Sequence, residues 1–220
     1  MKNDKSMRTV EGVKRNGWRY VRMMALSFII FPLSFSVCAC SEDSEEDNEF
    51  DAWQTRNEAV IDQWSSNTSY QKILTYTKDV GSTLTSKDFI YVEVLESGSG
   101  TETPLFTDTC RVAYRGHLIP TVSYPEGMVI DETYENKFDW TTAGTSDFSP
   151  STSGLRDGFS TALQHMHVGD HWRVRMPYNL CYGTSDYTGS TTTILGYSNL
   201  VFEIAMYDFW HPGETRPSFK

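Results

Sequence analysis

Residues suited to bind a metal or attack a substrate are few in this 220-residue chain, and their spacing does not gather them. The four cysteines are Cys38, Cys40, Cys110 and Cys181, and there are five histidines. No C-x-x-C pair or His/Cys spacing fits a zinc site. His165, His167 and His171 lie close in sequence, but a helix-to-turn placement would fan them apart. They are expected on the surface, and no metal or other cofactor is expected. Cys110 and Cys181 sit inside apolar, strand-like stretches. They could pair in an oxidising compartment, but free thiols are commonly buried in such stretches, and two unpaired structural cysteines is the favoured reading. The remaining candidates are aromatic. Tyr114, Phe159 and Phe202 fall in the segments with the clearest apolar periodicity, and by periodicity alone they are core residues.

The charge pattern narrows the partners. Net charge is −10, yet residues 1–39 carry seven Lys/Arg against only Asp4 and Glu11, so the rest of the chain stands near −15. Such an acidic surface repels phosphate backbones, which argues against nucleic acid. The basic stretch containing Arg15, Arg19 and Arg22 precedes an apolar run from Met23 to Ala39, broken only by Pro32 and serines. That order reads as a secretory signal; an uncleaved anchor helix is the alternative, and translation could start at Met7 or Met23. Val37-Cys38-Ala39-Cys40-Ser41 resembles the lipobox of bacterial lipoproteins, with Cys40 favoured over Cys38 because small Ala39 precedes it. Acyl chains on Cys40 would hold the protein to a membrane. The run Ser41-Glu42-Asp43-Ser44-Glu45-Glu46-Asp47 repels itself and is a solvated tether. It also resembles the acidic export stretch of surface lipoproteins in Bacteroidetes-like bacteria.

Positioning elements follow from periodicity. Residues 50–78 read as helical, with Trp53, Val60, Ile61 and Trp64 near one stripe. A break is expected at Ser65-Ser66-Asn67, followed by a second short helix through Tyr70, Ile73 and Leu74. This segment is too small to fold alone; it would pack on the following domain or pair two copies into a homodimer. From Phe89 the texture changes to short strands: Phe89–Leu95, Cys110–Gly116, the alternating Trp172/Val174/Met176, and Leu200/Phe202/Ile204/Met206. Leu155, Phe159, Ala162, Leu163 and Met166 make one helical stripe, stopped at Val168-Gly169-Asp170. Strands plus one amphipathic helix predict an α+β domain with an antiparallel sheet wrapped around the helix.

Four ordered blocks resemble the FKBP-type peptidyl-prolyl isomerases. Asp108–Gly116 is similar to D-x-V-x-V-x-Y-x-G, and Asp157–Gly169 to the family helix G-W-x-x-A-L-x-x-M-x-x-G. Met176–Gly183 resembles I-P-x-x-L-A-Y-G, and Asn199–Ile204 resembles the closing strand. The resemblance spans residues 88–210. It implies an apolar aromatic pocket that twists X–Pro amides, with Tyr114, Asp131, Tyr182 and Phe202 carrying the reaction. It further implies that Ile130, Phe148, Leu155, Arg156, Phe159 and Ile194 contact substrate. Asp131 best fits the family's F-D-S pair, while Phe138-Asp139 is a rival placement.

Three departures accompany the resemblance. Ile130 replaces an aromatic, Arg156 replaces an aliphatic residue whose N–H receives a substrate carbonyl, and Leu195-Gly196 replaces flap prolines. Ile119–Gly127 looks like an insertion beside the pocket. The expected organisation is a lipoprotein signal peptide (1–39), acidic tether (40–49), helical extension (50–86), FKBP-like domain (87–211) and tail (212–220). The implied function is prolyl isomerisation of proline-containing peptides or unfolded exported proteins. The location is the Gram-negative envelope, anchored to the outer membrane and facing either side. A catalytically weak surface lipoprotein that binds peptides or acts as a chaperone is the alternative.

Overall fold

The computed structural model describes residues 49–189 and 193–218. The expected signal peptide, Cys40 and nearly all of the tether lie outside those residues. In chain order the elements are α1 (Trp53–Ser66), β1 (Gln71–Leu74), β2 (Phe89–Glu96), β3 (Thr109–Leu118), β4 (Val129–Glu132) and β5 (Ser146–Phe148). They continue with α2 (Asp157–Leu163), β6 (His171–Met176), β7 (Tyr187–Thr188), β8 (Thr193–Ile194) and β9 (Leu200–Trp210). Seven strands form one sheet in the order β1-β2-β6-β9-β3-β4, with β5 also on β3. Every pairing is antiparallel, the α+β arrangement the sequence leads one to expect. The strands β7 and β8 form a separate hairpin.

The central pair is β3 with β9, in register from Thr109↔Trp210 to Leu118↔Leu200. Their β-branched and aromatic residues suit a pleated surface covered on both faces. Gly116 lies opposite Phe202 in this register. A Cβ on Gly116 would come within 2.2 Å of the Phe202 ring, so only glycine leaves that ring its place.

The helix α2 is seven residues long, shorter than the stripe from Leu155 to Met166 suggests. A helix this short is not stable alone. Its burial holds it: every residue from Gly158 to Leu163 is buried, and the Ser160 hydroxyl donates to the Pro150 carbonyl at 3.0 Å. The expected stop at Gly169 is a correction. The helix already ends at Leu163, and Gly169, at φ +90°, serves a tight crossing where an added Cβ would sit 2.9 Å from the Gly98 Cα.

The N-terminal extension departs more. α1 ends at Ser66 with Asn67 as its cap, as the Ser-Ser-Asn break suggests. The second helix expected through Tyr70, Ile73 and Leu74 is instead strand β1, which pairs with Phe89–Val92. Apolar positions at spacings of three and four read as a helix, and pairing with the free edge of β2 overrides that local pattern. Trp53, Asn57, Ile61 and Trp64 of α1 are buried against the chain's own domain; the stripe suggested as a pairing face is consumed there. A polar lock fixes the docking. The Asn57 Oδ1 accepts from the Asn199 N–H at 2.8 Å and the Asn57 carbonyl from Asn199 Nδ2 at 2.7 Å. Asn57 Nδ2 donates to the Trp53 carbonyl at 2.8 Å, and Trp53 Nε1 donates to Ser198 Oγ at 2.9 Å.

On the sheet face away from α2, Ala113 and Ala205 are covered by Tyr134 and Ala143, with Phe138, Trp140 and Tyr207 at the margin. His171, expected at the surface, is buried under this cover at 6% exposure, with its ring 4.3 Å from that of Phe138. Cys110 and Cys181 are free and buried. Burial raises the Cys110 thiol pKa to about 12 and pushes Cys181 up as well.

Candidate active site

Successive residues of a strand face opposite sides, so Tyr114 of β3 points away from Ala113 and its cover. It meets three rings: Phe148 of β5 at 5.5 Å, Phe159 of α2 at 5.8 Å and Phe202 of β9 at 6.0 Å. Phe159 closes the group, 5.6 Å from Phe148 and 5.3 Å from Phe202. Four of these five contacts are edge-to-face and the Tyr114–Phe202 pair is tilted at 40°; edge-to-face pairs add about 0.5–1.5 kcal/mol each beyond burial. The pairing of Cys110 with Phe148 brings β5 to this place, and the buried helix start brings Phe159.

Polar groups ring the cluster. The Tyr114 hydroxyl donates to Asp131 Oδ2 at 2.8 Å. Burial, reinforced by that carboxylate, holds the phenol well above its ordinary pKa, so it remains a donor. Asp131 itself is exposed on β4. The rival pair lies elsewhere: Phe138 belongs to the cover on the other face, and Asp139 caps its own turn by accepting from Thr141. Asp131 is therefore the carboxylate beside the aromatic cluster.

Tyr182 is half-buried against the main core. Its ring stacks on that of Tyr187 at 4.4 Å and 29°. The Arg156 guanidinium lies 4.4 Å from the Tyr182 ring centre and 5.6 Å from that of Tyr187. Burial raises the Tyr182 pKa, and the Arg156 charge works against the rise. Contacts of this cation–π type are worth from about 0.5 to 2 kcal/mol as they are desolvated. The Arg156 N–H has no backbone acceptor among the described residues. Ile130 and Leu155 are half-buried against the main core, and Ile194, 4% exposed, comes from the β7–β8 hairpin opposite Tyr187.

Sequence reasoning thus named the rings that meet, but missed two features. One is Tyr187, which nothing in a single sequence marks as a stacking partner. The other is the insertion Ile119–Gly127. It lines a cleft of about 640 Å³ with Trp64 of α1, His117, Arg173 and Val201. None of the cluster rings lines that cleft.

An antiparallel sheet packed on one short central helix, with an aromatic cluster between them, is the FKBP-like architecture. Residues 100–207 match the family model described as FKBP-type peptidyl-prolyl cis-trans isomerase. The "Macrophage infectivity potentiator" of Trypanosoma cruzi is 34% identical over 119 residues, which cover 54% of this chain and 52% of that protein. The "FKBP-type 22 kDa peptidyl-prolyl cis-trans isomerase" of Escherichia coli (strain K12) is 31% identical over 115 residues, covering 52% and 47%. The chain spans about half the length of these curated relatives. Among solved structures, a peptidyl-prolyl cis-trans isomerase from Pseudomonas syringae superposes with a TM-score of 0.51 at 20% identity, covering 73% of this chain and 95% of that one. FkpA from Escherichia coli gives a TM-score of 0.51 at 21% identity, covering 74% and 62%. These two structures bear on the fold alone. Over residues 100–207 the chain is similar to the FKBP-type peptidyl-prolyl cis-trans isomerase family.

Proposed function

We propose that this chain is a peptidyl-prolyl cis-trans isomerase that assists the folding of exported proteins. It would be carried to the Gram-negative envelope by residues 1–39 and held to the outer membrane through lipid on Cys40. The observation that supports the isomerase reading best is the aromatic cluster Tyr114, Phe148, Phe159 and Phe202, joined to Asp131 through the Tyr114 hydroxyl. An X–Pro amide resists rotation by about 18–20 kcal/mol because its C–N bond is partly double. Twisting removes that resonance and leaves a less polar carbonyl. An apolar aromatic wall therefore accommodates the twisted amide better than the planar, hydrated one. In this reading Tyr182 and the Arg156 N–H would hold substrate carbonyls, and Ile130, Leu155 and Ile194 would line the proline's approach.

The reading is tested by measuring exchange of a short X–Pro peptide by NMR or a protease-coupled assay. Acceleration is expected with the wild type, falling several-fold in Tyr182→Phe and more in Phe202→Ala, because each contact of about 1 kcal/mol is worth several-fold in rate. A folded wild type with no acceleration refutes it. Ile130 and the Arg156 charge favour a second reading, a catalytically weak peptide-binding or chaperone module. That reading expects undiminished suppression of client aggregation by Phe202→Ala.

A further inference from the structure

We propose that the Arg156 guanidinium selects client segments that carry a carboxylate side chain next to the proline. The inference rests on the isomerase reading of the aromatic pocket and names its substrate class.

Arg156 stands apart from the chain's other described arginines. Arg111, Arg115, Arg173, Arg175 and Arg216 each pair with an aspartate or glutamate. Arg56 donates to the carbonyls of Glu49 and Pro120. Arg156 has no ion pair among the described residues, in a chain with 29 acidic residues to supply one. Its neighbour Asp157 accepts from the Tyr76 hydroxyl instead, and the Arg156 Nε is buried with no hydrogen-bond partner. The cation is steadied by aromatic rings rather than by a counter-charge.

Beside the ring contacts, Arg156 shares one hydrogen bond with Tyr182; a guanidinium carries five N–H donors, so others on its edge remain to meet a carboxylate. The position suits a substrate side chain. Arg156 is the residue that opens α2, three positions before Phe159 of the cluster, and it lies over Tyr182 at the rim. Residues flanking a proline sit about 3.8 Å along the chain from it, so their side chains reach the rim when the ring is among the aromatics. The apolar wall would thus recognise proline while Arg156 reads the sign of its neighbour. Lysine there meets a like charge close by.

The test compares kcat/KM of the full chain on peptides that differ only in Glu, Gln or Lys immediately before or after the proline. Wild type should favour Glu over Gln by roughly three- to tenfold at one of these positions and disfavour Lys. Added salt should shrink the preference. Arg156→Leu should bring the Glu/Gln ratio close to one, whatever its absolute rate. Turnover with a flat series in wild type, or an unchanged ratio in Arg156→Leu, overturns the inference and leaves the isomerase standing. If no peptide is turned over, the isomerase reading fails, and the same ratios are read from dissociation constants by NMR titration. Peptides that bind without a Glu preference, or do not bind at all, then overturn this inference too.

Discussion

Replacing Asn57 with alanine should weaken the docking of the extension on the domain at a cost that can be worked from its contacts. Asn57 and Asn199 are both fully buried. The substitution removes the bond from Asn57 Nδ2 to the Trp53 carbonyl and the acceptor of the Asn199 N–H. The bond from Asn199 Nδ2 to the residue-57 carbonyl can remain, because it uses the backbone. One buried N–H is left without a partner at about 1–3 kcal/mol, and the other lost bond adds about 1 kcal/mol, giving about 2–4 kcal/mol in all. The assay is urea unfolding followed by tryptophan fluorescence, with Trp53 and Trp64 both on α1 as reporters. A drop in midpoint at unchanged slope is expected. Asn57→Asp makes a sharper test, since it keeps the acceptor but places a carboxylate where no water reaches. The folded state would raise that carboxyl pKa, so the variant should lose stability as pH rises past the ordinary carboxylate value of about 4. A loss below about 0.5 kcal/mol for Asn57→Ala would refute the claim that this lock holds the helix.

Two further outcomes follow from the sheet. Gly116→Ala drives a Cβ into the Phe202 ring, so a cost of about 1–3 kcal/mol is expected. Displacement of the ring should weaken peptide binding alongside it, as NMR titration would report. Burial lowers the His171 pKa below its ordinary 6.5, against the pull of Glu203 and Glu96. A histidine held neutral in the fold takes up protons on unfolding, so stability should fall as pH drops below about 6.5. His171→Gln should flatten that part of the stability–pH curve, although lowered His117 leaves a residual slope.

The strands and α2 were legible because their apolar residues alternate or stripe over enough positions to separate a period of two from one of 3.6. β1 was not, since Tyr70, Ile73 and Leu74 repeat at the helical spacings of three and four, and the deciding partner, β2, lies well along the chain. His171 looked outward by alternation from Trp172. Its cover comes from Phe138 and Trp140, in a segment whose landing place no local pattern reveals. The cluster rings could be named only through the order of four motifs, as periodicity alone makes them core. Asp131 and Asp139 were separable only once β4 was seen beside Tyr114. The arginine–tyrosine stack at the rim depends on the turn after Tyr182, which brings Tyr187 back over it.

Strand β1 has a consequence for solubility. Without it, β2 would present the open backbone of Ile90, Tyr91 and Val92 to other molecules, the kind of border that recruits a stranger's strand into fibrils. β1 covers that border with four residues, and its Gln71 and Lys72 face solvent. A strand so short, with an exposed lysine on it, is a poor template for the next chain. The extension therefore acts as a guard against aggregation: chains trimmed ahead of Phe89 should precipitate even where the remaining sheet is intact.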